Sequence, residues 1–211
     1  MPGGDRRELE QCAPASRIPV AELRAAFVPR DLEEVLLHAV VEPSAAKDQL
    51  SEPIDERFVA HDREPLPVAD EVLAELDWVI ASLHTAFDRS PTERILAALD
   101  HPHVDSIGHL TGRKLNKRPG ADIDVEQVVA RAVETGTALE INSQPDRLDM
   151  RDVHARLAGE AGVRVPITTD AHSAAALSYR ELGVAQARRA WLTKEQVLNT
   201  RSWREIAKLR G

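Results

Sequence analysis

The alternation of apolar and polar positions changes character near residue 68. Before it, apolar residues recur at helical spacing over residues 18–27 and 31–41, which predicts two helices, the second with Asp31 as N-cap. Residues 42–67 are broken and polar and predict no regular element. After it, amphipathic stretches alternate with short β-branched runs that end in polar side chains. Residues 69–76 predict a helix and 78–84 (WVIASLH) a strand. Ser90 and Pro91 open a helix through residue 99, with Ser as N-cap and Pro in the first turn. Residues 105–110 (DSIGHL) predict a second strand. Asp124 caps a helix through residue 133, and 137–142 (TALEIN) predict a third strand. A helix over 151–161 ends at Gly162, and 165–170 (VPITTD) predict a fourth strand. Helical pieces at 174–179, 185–191, 194–198 and 202–209 finish the chain.

Strand–helix alternation with short connections implies parallel strands joined by right-handed crossovers, hence an α/β architecture. Continuous apolar strands fit burial on both faces. In such architectures chemistry gathers at the carboxyl ends of the strands.

Composition divides the chain at the same place. Eight of the 13 prolines fall in the first 67 residues, so residues 1–67 read as an irregular N-terminal extension and 68–211 as the folded domain. Hydrophobic residues make up 43% and aromatics only 3%, so the core must be built from Leu, Val, Ile and Ala. The net charge of −8 argues against a dedicated basic nucleic-acid coat, while leaving room for a local basic groove. Cys12 is the single cysteine, which excludes a disulfide framework and a thiolate zinc site within the chain. The first 16 residues carry no apolar signal core, and no run approaches the ~18 apolar residues of a membrane span. The expected compartment is the cytoplasm, with no membrane association.

The candidate chemistry lies at the strand ends: His84, His109, Glu140 with Asn142, and Asp170 with His172. A lone strand-end His is commonly a packed or capping residue. Four such ends in succession are a different matter, because neighbouring parallel strands run ~4.8 Å apart and their ends can converge. Imidazole with carboxylate suits Zn, Mn or Fe. In Asp170-Ala171-His172 both side chains face one way if the strand continues; otherwise Asp170 is a helix N-cap beside an incidental His. Arg113, Lys114, Lys117 and Arg118 form a basic cluster that fits either a phosphate backbone or a solvated loop. Arg147 fits either a substrate phosphate or a pair with Asp149. Glu140 and Asn142, alternating on one strand face, suit hydrogen bonding to ligand side chains. His38 stands in the helical run, His61 in the polar stretch, and His101 and His103 before a strand, as turn residues.

The segments DWVIASLH (77–84), IGHLTGR (107–113), LEINSQPDRLDM (139–150), ITTDAH (167–172) and GVAQARRAWLTKEQVLNT (183–200) together resemble the PHP (polymerase and histidinol phosphatase) domain family, in particular the C-terminal PHP domain of bacterial family X DNA polymerases. They cover about two-thirds of the chain. The resemblance implies a distorted, here partial, (β/α)7 TIM-like barrel holding up to three divalent ions, Mn or Zn. It also implies His84, His109, Asp170 and His172 as metal ligands, with Asp170 and His172 at the catalytic centre. Glu56, in I-D-E, stands near the place of a further glutamate ligand. Arg113, Lys114 and Arg147 would then face a phosphate-ester substrate, with DNA as a candidate, and the activity would be that of a phosphatase or 3′-5′ exonuclease.

The family's opening H-x-H strand and the following D-H-S strand end have no counterpart here, so fewer ions and an incomplete site are expected. A polymerase domain or a partner chain absent from this sequence would normally accompany such a domain. The alternative is a non-catalytic remnant of a family X polymerase that keeps the fold; a different barrel hydrolase would lack the E-I-N-x-x-P-x-R-L-D run.

Overall fold

A computed structural model describes residues 36–39, 70–74 and 76–209. In chain order the elements are β1 (Leu36–Ala39), α1 (Asp70–Ala74), β2 (Val79–Ser82), α2 (Pro91–Leu99), β3 (Ser106–Ile107), α3 (Val125–Thr135), β4 (Ala138–Leu139), β5 (Ile141–Asn142), α4 (Asp152–Glu160), β6 (Ile167–Thr168), a 3-10 turn at Ala174–Tyr179, α5 (Arg180–Arg189), a second 3-10 turn at Leu198–Thr200, and α6 (Trp203–Ala207).

The sheet runs β1-β2-β3-β4, with β2, β3 and β4 parallel and β1 antiparallel against β2. The expected third strand is divided at Glu140, and the ladder changes partner there. Glu140 N–H donates to Ile107 at 3.0 Å on the β3 side, while Leu139 and Ile141 N–H donate to Arg164 and Pro166 at 3.2 and 2.9 Å on the other. β5 then pairs with β6 in parallel. Beyond β6, Val165 bridges Val197 in parallel, with Val165 N–H donating to Gln196 and Leu198 N–H to Val165. The parallel order therefore follows the chain from β2 onward, with α2, α3 and α4 as crossovers. Among the described residues the strands do not close into a barrel.

Three local expectations are corrected. The helix expected over 31–41 is a strand at Leu36–Ala39; a short apolar run satisfies either period, and pairing along β2 from Leu36↔Ser82 to Ala39↔Val79 decides it. The helix expected over 194–198 does not form, because that backbone bonds to Val165 as an outer rung of the sheet. Ser90 occupies the N-cap position of α2 but its side chain does not cap. Its φ is 40°, and the turn is held instead by the Arg94 guanidinium donating to the carbonyls of Thr85 and Ala86. By contrast, Asp124 caps α3 as expected, accepting from Gln127 N–H at 3.0 Å, and Gly162 leaves α4 at a φ of 92°. The expected helix at 18–27, Glu56 and His61 lie outside the described residues.

The core lies between the sheet and α2, α3 and α4. Val79, Ala81 and Leu83 from the β2 segment, Ile95 and Leu99 from α2, Val128 and Val129 from α3, Leu139 and Ile141, and Ala155 and Ala158 from α4 are all buried in one cluster. It is aliphatic, as the aromatic-poor composition requires. A satellite cluster joins Trp78 to Ala138, Leu198 and Ile206, with Trp78 edge-on to Trp203 at 6.5 Å. No helix among the described residues is long and apolar enough to cross a membrane.

Candidate functional site

The candidate residues follow the carboxyl ends of the parallel strands β2, β3, β5 and β6. His84 follows β2 and His109 follows β3, and their rings meet edge-on with centroids 4.9 Å apart. His109 is buried and its backbone stands at a φ of 28°, so the strand turns sharply at this residue. Gly108 makes that turn sterically feasible. A Cβ there would meet Ser82 Oγ at 2.5 Å, Ile80 Cγ2 at 2.8 Å and Glu140 Oε2 at 3.1 Å.

Glu140 joins β3 to β6. Its Oε2 accepts from His109 N–H at 2.5 Å and its Oε1 accepts from the Thr168 hydroxyl. Burial pushes its carboxyl up to about 7 against these hydrogen bonds, and the nearby Asp170 carboxylate adds to the rise. Asn142, also buried, donates from Nδ2 to Asp170 Oδ2 at 3.2 Å. Asn142 touches the Asp170 carboxylate, while Glu140 holds the backbone of His109.

Asp170 is in the left-handed region at a φ of 49°. Its carboxylate faces Arg147 Nε at 3.5 Å as well as Asn142. Its carbonyl receives Gln144 Nε2 at 2.6 Å and lies 2.8 Å from His172 Nδ1. Neither expected arrangement of the Asp170-Ala171-His172 stretch is seen: the strand stops at Thr168, and the exposed His172 ring folds back on the backbone of Asp170. The rings of His84 and His109 thus meet, Glu140 holds the His109 backbone, and Asn142 links Glu140 to the Asp170 carboxylate, with His172 and Arg147 on the rim. Among the described residues no three His, Cys, Asp or Glu side chains come together as a metal-holding group. The donor types suit a divalent cation; the side chains meet in pairs, as His84 and His109 do.

Arg147 pairs with Asp170, so the alternative pairing with Asp149 is not seen. Asp149 is wholly buried and accepts from Thr111 N–H at 3.0 Å, the Thr111 hydroxyl at 3.0 Å and Arg113 N–H at 3.3 Å. Burial raises its pKa, opposed by those hydrogen bonds and the Arg113 charge. The Arg113 guanidinium donates to the carbonyls of Arg147 and Leu148, which ties the loop after β3 to the loop after β5. Lys114 and Lys117 both reach Asp146, at 3.6 and 3.8 Å, and Arg118 stacks on Phe87 at 4.0 Å. This basic loop, 113–120, lines an open cleft of about 380 Å³. Sequence reasoning missed Thr111, Gln144 and Thr168 altogether. Their neutral side chains carry no spacing signal; only their partners across the sheet reveal them.

No family model matches the chain. Over 140 residues it is 44% identical to the DNA polymerase/3′-5′ exonuclease PolX of Bacillus subtilis (strain 168), covering 65% of this chain and 25% of that protein. It is 33% identical over 147 residues to a probable phosphatase of Thermoanaerobacter sp. (strain X514), covering 64% of this chain and 58% of that one. A probable phosphatase of Caldanaerobacter subterraneus subsp. tengcongensis is 34% identical over 119 residues, 51% of this chain and 44% of that one. The chain spans a quarter of the polymerase and a little over half of the first of these phosphatases. The resemblance of its motifs to the PHP domain of bacterial family X polymerases is borne out by this similarity, which covers about two-thirds of the chain.

Proposed function

We propose that this protein is a metal-dependent phosphoesterase of the PHP type, acting on phosphomonoester or phosphodiester bonds, with DNA 3′ ends among its substrates. The observation that carries the reading is the linking of successive strand ends, from the His84 and His109 rings through Glu140 and Asn142 to the Asp170 carboxylate. The names of the relatives, exonuclease and phosphatase, support the reaction class. In this reading residues 68–211 are the catalytic part, working in the cytoplasm.

His84, His109, Asp170 and His172 would hold one or two divalent ions, Mn or Zn, with Glu56 a further candidate. Bound there, such ions would acidify a water and offset phosphate charge. The chain's own groups do the rest. Glu140 and Thr168 fix the backbone at His109, and Asn142 orients the Asp170 carboxylate. Arg147, at the rim, can exchange Asp170 for a phosphate oxygen, and Lys114 and Arg113 extend positive charge away from it.

The test is hydrolysis of a chromogenic phosphate ester and of a 3′-labelled oligonucleotide by the purified chain, with and without Mn. Mn-dependent hydrolysis is expected, weaker than that of a full-length relative. Asp170→Ala should reduce it to background, because it removes the carboxylate that Asn142 orients. Hydrolysis that survives Asp170→Ala places the reaction elsewhere. Absence of both bound metal and hydrolysis leaves the fold-keeping remnant as the better description.

A further inference from the structure

We infer that Gln144 is a positioning residue: it grips the backbone carbonyl of Asp170 and thereby presents His172 with its Nε2 lone pair outward. The inference rests on the phosphoesterase reading for its consequence, though not for its geometry.

The Asp170 carbonyl is an acceptor only, with two lone pairs. Two groups reach it, Gln144 Nε2 at 2.6 Å and His172 Nδ1 at 2.8 Å. A carbonyl cannot donate, so His172 Nδ1 must carry the proton, and in the neutral ring Nε2 is then the basic nitrogen. That is the state required of an imidazole that takes a cation or a proton through Nε2. Gln144 also acts on the other half of Asp170. Its own N–H donates to Asn142 Oδ1 at 3.0 Å, which turns the Asn142 amide so that Nδ2 faces Asp170 Oδ2. A single residue thus orients both the carbonyl and, through Asn142, the carboxylate.

The need for such a grip is visible in the backbone. Asp170 holds a φ of 49°, unfavourable for a residue with a side chain, and strand pairing has already ended at Thr168. The last ladder bond is Ser143 N–H donating to the Thr168 carbonyl at 2.8 Å, two residues short of Asp170. The Gln144 amide supplies the missing restraint from the loop after β5. Its side chain is half-buried, and it has no charge that would compete with substrate or cation.

The experiment uses the full chain and two substitutions, Gln144→Leu, which keeps the bulk, and Gln144→Asn, which keeps an amide but shortens its reach. Three quantities are read: the His172 tautomer from ring 15N shifts in metal-free protein, Mn affinity by EPR titration, and kcat and KM for the chromogenic ester. In the unaltered chain the Nδ1–H tautomer should dominate. Gln144→Leu should mix the tautomers, weaken Mn binding about 10- to 100-fold and lower kcat more than KM, with Gln144→Asn intermediate. Circular dichroism should remain that of the unaltered chain, which separates positioning from unfolding. A dominant Nε2–H tautomer in the unaltered chain, or a Leu variant with an unchanged tautomer and unchanged Mn affinity, overturns the inference. If the unaltered chain neither binds Mn nor hydrolyses the ester, the phosphoesterase reading fails, and the ring shifts alone decide for or against the Gln144 grip.

Discussion

His109 and Asp170 each adopt a positive φ where a strand gives way to a loop, and each is held there by a side chain from the neighbouring strand segment. Strained backbone of this kind costs about 1–3 kcal/mol per residue and persists only where the surroundings over-determine it. Gly108 shows how narrow the tolerance is. Gly108→Ala would press a methyl group onto Ile80, Ser82 and the Glu140 carboxylate. A loss of about 1–3 kcal/mol is expected, seen as a lower urea midpoint at unchanged slope. An unchanged midpoint would mean that β2 and β3 have more room than these contacts show. The same crowding keeps Glu140 within reach of His109, so the substitution should also lower any Mn-dependent hydrolysis.

Among the elements, α4 carries a group that no function absorbs. His154 is half-buried on it; burial first, then Arg151 and Arg113, lowers its pKa, with Asp152 opposing. The folded protein therefore takes up this proton less readily than the unfolded chain, whose histidines titrate near 6.5. Linkage fixes the sign: above about pH 6.5 the group is neutral in both states, and below it the unfolded chain binds more protons, so stability falls on acidification. The melting temperature should drop between about pH 7.5 and about pH 5.5, and His154→Leu should make the drop smaller. An equal drop in the variant would assign the effect to another group. In the same first turn of α4, Asp152 accepts from the Arg189 guanidinium of α5 at 2.8 Å. That pair is exposed on the Arg side and contributes little, about 0–1 kcal/mol.

For the whole molecule, the sheet is parallel and sequential from β2 onward, while its first strand runs the other way. β1 covers the edge of β2 that would otherwise present unpaired backbone groups. A chain beginning after Ala39 should therefore melt lower and scatter more light on heating than the full chain. An unchanged melting temperature would show that the pairing of Leu36 with Ser82 adds nothing. At the other end, the Val165–Val197 bridge extends the parallel order past β6, and the described strands leave the sheet open.

The order of residues alone was enough for the parallel strand–helix succession after residue 68, the aliphatic core and the strand-end positions of His84, His109, Asp170 and His172. These depend on local periodicity and on chain order, which a single sequence displays. Its motifs also carried the likeness to PHP domains of family X polymerases, now matched by 44% identity to a polymerase/exonuclease. The folded arrangement was needed to make residues 36–39 a strand, because a short apolar run has no period of its own until a neighbour offers hydrogen bonds. Only it divided the third strand at Glu140, where the ladder passes from β3 to β6. It alone gave Arg147 to Asp170 and Asp149 to Thr111, two choices that spacing within PDRLD leaves equal. Gln144 was invisible for the same reason: an amide acquires its role from the carbonyl it meets, and that carbonyl lies 26 residues away.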